Sequence, residues 1–164
     1  GSVFVYYGEE IGMTGSGKDE NKRAPMYWSS DAEAKGMTRG PLDMEPQENQ
    51  FASAEKQMKS KDSIYSFYKE TILLRNQNPE IARGTVARLE DITDQDIAAV
   101  SKTYNGETIY LLYNISETEK KQVSMPVEQY GELEIAGYLS VDGGKVTMES
   151  GVVTLPSFRV VVLR

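Results

Sequence analysis

From Thr85 onward, short runs of β-branched and aromatic residues alternate with turn signals, a texture that few architectures can hold. Candidate strands are Thr85–Glu90, Ile97–Tyr104, Glu107–Asn114, Lys120–Met125, Leu133–Tyr138, Lys145–Met148, Val152–Leu155 and Phe158–Leu163. Asn105-Gly106 joins two of them and is the strongest hairpin signal, because both central positions of a type I′ turn require positive φ. Asp142-Gly143-Gly144 marks a second turn. Seven or eight short strands in about 80 residues predict an antiparallel sandwich. The fold class is therefore mainly β.

The first half reads differently. Val3 to Tyr7 is a continuous apolar run ending at Gly8, the pattern of a strand buried on both faces as in a parallel sheet. Such a strand is not stable alone, so something outside this sequence is expected to flank it. Thr14 to Lys61 carries little periodicity and is broken by Pro25, Pro41 and Pro46, which predicts a long irregular segment with a short helix around Ala52 to Lys59. Asp62 to Asn76 is the clearest helix: Asp62 suits an N-cap, and Ile64, Phe67, Tyr68, Thr71, Ile72 and Leu74 form a stripe expected to bury. Pro79 and Gly84 are expected to end it. The domain boundary is placed near Arg83, giving segments 1–82 and 83–164.

Composition narrows the chemistry. With 39% apolar and 26% charged residues, 164 residues can build a core and remain soluble. No run approaches the roughly eighteen apolar residues of a membrane span. Gly1-Ser2-Val3 opens without a basic segment or cleavage site, so no leader peptide is expected there, and Gly1-Ser2 could be a vector scar. The net charge of −7 argues against a nucleic-acid partner. Cysteine and histidine are both absent, which removes disulfides, histidine-ligated metals and Ser-His or Cys-His pairs from these residues.

Two motifs remain. Glu9 and Glu10 follow the apolar run, but neighbours on a strand face opposite sides and cannot both address one substrate. The simpler reading gives them to a nearby Arg or to backbone amides shaping a turn. In Lys22-Arg23-Ala24-Pro25-Met26-Tyr27-Trp28, a guanidinium beside aromatics suits sugar hydroxyls and pyranose faces. The simpler reading there is a loop anchored by burying Met26 and Trp28. Lys18-Asp19-Glu20-Asn21-Lys22 reads as a solvated loop rather than a cation site.

Together, Tyr6-Tyr7-Gly8-Glu9-Glu10-Ile11-Gly12-Met13, then Lys18-Asp19-Glu20, then Arg23, Pro25, Met26 and Trp28 resemble the α-amylase family of glycoside hydrolases around the eighth strand of its (β/α)8 barrel. Ala54-Glu55-Lys56-Gln57, Ser63 and the helix to Leu74-Arg75 resemble the last barrel helix, and the strands from Thr85 resemble domain C. Val3 stands where relatives usually have Pro, and no proline separates Lys18 from Asp19. The resemblance implies a C-terminal portion of a retaining α-glucan hydrolase cleaving starch or maltooligosaccharides. The family's nucleophilic Asp, acid–base Glu and transition-state Asp lie on earlier strands, so these residues hold no catalytic acid, and the chain alone is expected to be inactive. The resemblance assigns Arg23 to the pocket for a terminal glucose. It implies no organic cofactor; calcium is common in the family, with ligands in other segments. An oligo-1,6-glucosidase or α-glucosidase parent is the alternative, the short loop between Met13 and Arg23 favouring an α-amylase. A stand-alone carbohydrate-binding module is the reading from another class, and a protein-interaction domain has no particular residue behind it. Neither membrane nor nucleic acid is an expected partner, while Val3–Tyr7 could pair with another copy of the chain. Secretion and cytoplasmic residence both remain open.

Overall fold

The computed structural model describes residues 3–164. The chain divides into two compact units, Gly1–Lys69 and Glu70–Arg164.

The second unit is an antiparallel β-sandwich. Its strands are β1 (Thr85–Arg88), β2 (Ile97–Tyr104), β3 (Glu107–Asn114), β4 (Lys121–Ser124), β5 (Ile135–Leu139), β6 (Thr147–Glu149), β7 (Val152–Leu155) and β8 (Arg159–Leu163). Five strands form one sheet in the order β1-β2-β3-β8-β5, and three form the other in the order β4-β7-β6. The chain thus crosses between sheets repeatedly and returns to insert β8 between β3 and β5, in the interleaved manner expected of a Greek-key sandwich. Asn105 (φ 52°) and Gly106 (φ 86°) turn β2 into β3 as the sequence predicts, pairing Tyr104 with Glu107.

The core comes from both sheets: Ile97, Leu112, Val161 and Leu163 meet Val123, Met125, Val153 and Leu155. Val161, Val162 and Leu163 are consecutive and all wholly buried, so β8 is covered on both faces. A short helix, α3 (Pro79–Arg83), packs against β2 and β3 from outside the sandwich. Its Lys102 tie runs from the ammonium to the Ile81 carbonyl, and Arg83 lies 5.8 Å from the Tyr104 ring centre. Glu80 of α3 is buried and accepts from the Arg164 guanidinium at 3.0 Å.

The helix α2 (Ile64–Gln77) differs from expectation in three ways. Its cap is Ser63, not Asp62: the Ser63 hydroxyl accepts the Ser66 N–H at 3.1 Å while its carbonyl accepts from Phe67. Pro79 does not merely end it but occupies the first turn of α3, and Gly84 closes that helix instead. The stripe is also only half covered: Leu74 alone is fully buried, Ile64, Phe67, Tyr68 and Thr71 are half-buried, and Ile72 is exposed. Leu74 owes its burial to Gly137 of β5, where a Cβ would lie 2.5 Å from the Leu74 Cδ1. Gly137→Val is therefore expected to cost roughly 2 kcal/mol by overpacking, read as a lower midpoint in urea.

The first unit has little regular structure. It holds α1 (Ala54–Gln57) and two 3-10 helices, Glu9–Ile11 and Asp19–Arg23. The expected strand Val3–Tyr7 is absent. These residues lie outside any ladder, with Val3 72% and Phe4 89% exposed, because a strand needs partners for its amides and carbonyls and no described residue supplies them.

Candidate functional site

The opening apolar run is held at its end rather than along its length. Tyr7 donates its hydroxyl to the Ala24 carbonyl at 2.9 Å, and Tyr6 reaches the Lys22 carbonyl at 3.4 Å. The two rings stack at a tilt, 4.8 Å apart, and partial burial beside Tyr6 pushes the Tyr7 hydroxyl above the ordinary tyrosine range. Glu10 accepts the Gly8 N–H at 2.8 Å, the turn-shaping role expected of it. Glu9 instead lines a cleft. Gly12 sits at φ 70°, and a Cβ there would fall 2.6 Å from Phe51 and 2.7 Å from Ile64, so this tight exit admits only glycine.

The next segment is pinned by Asn21, which is buried. Its amide donates to the Ser16 carbonyl and to the Glu45 carboxylate, both at 2.8 Å, and its oxygen accepts the Glu45 N–H at 3.0 Å. The Asn21 amide, and after it the Lys18 ammonium, hold the Glu45 carboxyl below its ordinary value. The loop is therefore built around one asparagine.

Between these anchors lies a cleft of about 540 Å³, lined among others by Tyr6, Tyr7, Glu9, Asp19, Lys22 and Arg23. Arg23 ends the second 3-10 helix, and its guanidinium pairs with Asp19 four residues earlier. Both side chains are more than half exposed, so the pair is solvent-screened and its donors remain accessible. Carboxylates, ammonium, guanidinium and phenols around one cleft match the donors and acceptors of a hydroxyl-rich ligand.

Trp28 lies outside that lining and is 52% exposed, so the loop is not anchored by burying it. Backbone bonds do the anchoring: Ala54 N–H donates to the Tyr27 carbonyl at 2.9 Å and Glu55 N–H to the Trp28 carbonyl at 3.1 Å, at the start of α1. Ser29 reinforces this by donating to Glu55 at 2.9 Å. The residue most responsible for this unit is Gln57, 3% exposed, which donates to the Ile11 and Ala52 carbonyls at 2.8 Å and accepts the Tyr65 N–H at 3.3 Å. A lone glutamine in a polar stretch gives no pattern that would single it out beforehand. Among the described residues no group of three Asp, Glu, His or Cys is placed to hold a metal, and no helix is long and apolar enough to cross a membrane.

A glycine-bracketed turn and a cleft edged by Arg23 are followed on this chain by an antiparallel β-sandwich. The family model of the α-amylase catalytic domain matches residues 1–84. The chain belongs to the α-amylase family. Among curated proteins, Alpha-amylase 3 of Dictyoglomus thermophilum is 30% identical over 119 residues, covering 73% of this chain and 24% of that protein. The Cyclomaltodextrinase of Geobacillus thermopakistaniensis is 31% identical, covering 80% of this chain and 18% of that protein. Among solved structures, Eubacterium rectale Amy13B is 39% identical and superposes with a TM-score of 0.92 over 99% of this chain and 31% of its own. The chain thus spans no more than about a third of the relatives it matches.

Proposed function

We propose that these residues serve a retaining α-glucan hydrolase acting on starch or maltooligosaccharides, with residues 1–82 forming the last part of its barrel and 83–164 a structural sandwich. The observation that carries this reading is the cleft with Arg23 at its edge, on a chain of this family. Barrel active sites form at the C-terminal ends of strands, where the loop after residues 3–7 would lie. Arg23 contributes directed donors to glucose hydroxyls, with Asp19 beside it as a solvent-screened partner that leaves those donors free. The nucleophile and the acid–base carboxyl that such a reaction requires come from outside these residues. Relatives named as an amylase and a cyclomaltodextrinase support an α-glucan substrate, and one named as an oligo-1,6-glucosidase keeps that parent as the alternative.

The test is a chimera placing these 164 residues behind the upstream two-thirds of Amy13B. Arg23→Ala is expected to lower kcat/KM on maltotriose by about 10- to 100-fold, the worth of a charged hydrogen bond. Arg23→Lys should recover only part of the loss, because an ammonium lacks the fork. Unchanged kinetics in Arg23→Ala would take this residue out of the pocket.

The isolated chain also presents five consecutive apolar residues at 3–7 with unladdered backbone. Pairing with a second copy would satisfy those groups, so sedimentation should show a dimer that Val5→Pro converts to monomer. A monomer at high concentration would remove the pairing.

A further inference from the structure

The sandwich carries a second cleft, of about 300 Å³, whose residues the glucan reading leaves unused. It opens where the segment between β1 and β2 meets β4 and α4 (Val127–Tyr130). On β4, Val123 turns inward, so Gln122 and Ser124 face out and line the cleft. Thr93 and Asp91 approach from the β1–β2 segment and Gln129 from α4. Ile92, Val123 and Pro126 add apolar surface, and Asp94, paired with Lys121, completes the lining.

One member of this set is held in place in advance. Asp91 accepts the Tyr130 hydroxyl at 2.5 Å and the Gln129 amide at 3.1 Å. Tyr130 is itself oriented by an edge-on contact with Tyr110, 5.2 Å between ring centres. Two donors on one carboxylate oxygen fix its position and favour its ionised form, and the Tyr130 bond is the larger influence drawing its pKa down. A carboxylate retains further acceptor sites after two such bonds, and the Gln129 carbonyl oxygen remains an acceptor. Around that fixed acceptor stand an amide at Gln122 and hydroxyls at Thr93 and Ser124. A fixed carboxylate, amides and hydroxyls beside a small apolar wall are complementary to a ring with alternating hydroxyls and C–H faces. The unpaired charge of Asp91 disfavours an anion, and Asp94 adds little to that because Lys121 stands 3.6 Å from its carboxylate.

We propose that this cleft binds a single glucosyl unit of an α-glucan, giving the sandwich a sugar site separate from the Arg23 cleft. The inference rests on the glucan reading for its choice of sugar. One shallow site without a stacked aromatic predicts a dissociation constant of about a millimolar or weaker.

The experiment is an amide NMR titration of the whole 164-residue chain with maltotriose. Shifts should appear at residues 91–94, 122–124 and 129. Gln122→Ala, an exposed change outside the Asp91 network, should weaken that binding several-fold, and Asp91→Asn by at least tenfold. Arg23→Ala should leave it intact. Signals from residues 6–24 report separately on the Arg23 cleft, so the two sites can fail independently. Silence at 91–129 up to about 50 mM maltotriose, well past the expected affinity, overturns the inference. Equal shifts with glycerol at the same concentration overturn it too, since they would mark a site for any polyol.

Discussion

Arg159→Leu is expected to destabilise the sandwich by about 3 kcal/mol, a drop of roughly 10 to 20 °C in melting temperature for a unit of this size. Arg159 begins β8 and is only 2% exposed. Its guanidinium donates to the carbonyls of Ser157 (2.7 Å), Phe158 (3.2 Å) and Gly144 (3.4 Å) and pairs with Asp142. Burial draws its pKa below the usual arginine value, yet it stays charged at neutral pH. Leucine would leave these carbonyls without their donor and lose the packing of the side-chain stem. Asp142 is the lesser partner, because it is 65% exposed and the pair is screened on that side. Asp142→Ala should therefore cost less, about 1 kcal/mol. Circular dichroism melts of both variants check the order, and a larger effect from Asp142 would refute it.

Gln57→Leu is expected to cost roughly 2 to 3 kcal/mol in the first unit, about 1 kcal/mol for each hydrogen bond it removes. Two carbonyls and one N–H lose their partner at once, and they belong to three separate stretches: the turn at Ile11, the entry to α1 at Ala52 and the first turn of α2 at Tyr65. The loop that carries Arg23 should lose its definition with them. Hydrogen exchange should show amides in residues 8–28 opening in Gln57→Leu while strands β2, β3 and β8 keep their protection. Uniform loss of protection across both stretches would mean that Gln57 is not a local anchor.

Much of the sandwich is legible in the sequence because its determinants are local. Ile97–Tyr104, Glu107–Asn114 and Val152–Leu155 occur with the very ends that alternation and turn residues mark, and Asn105-Gly106 makes the turn its chemistry dictates. The helix from Ile64 is equally local, and even its cap lies one residue from the expected place, Ser63 displacing Asp62 because its hydroxyl reaches Ser66.

What the sequence hides is set by groups far apart along the chain. Asn114 looks like a polar strand end, yet its amide is buried against the carbonyls of Glu119, Leu155 and Pro156. Arg159, Asn21 and Gln57 share that fate: each is recognisable only once distant carbonyls have been brought round it. The run at residues 3–7 misleads in the opposite sense. Its composition is that of an inner strand, and its exposure follows from the absence of neighbours among the described residues, not from the residues themselves. The half-covered face of α2 has the same origin, since an apolar stripe buries only where another surface meets it.

For the candidate site, the motif locates the loop and the structure supplies its mechanics. Arg23 and Asp19 are visible in the sequence as opposite charges four residues apart; that they sit at the edge of a cleft with Tyr6 and Tyr7 is not. Trp28, the most conspicuous side chain of the stretch, lies outside that cleft.

The purified 164-residue chain, incubated with soluble starch and with maltooligosaccharides, puts the division of labour to its most direct test. Release of reducing ends should not exceed the buffer rate at any protein concentration. Steady release that scales with the concentration of the chain would contradict this division, because these residues would then carry catalytic acids of their own.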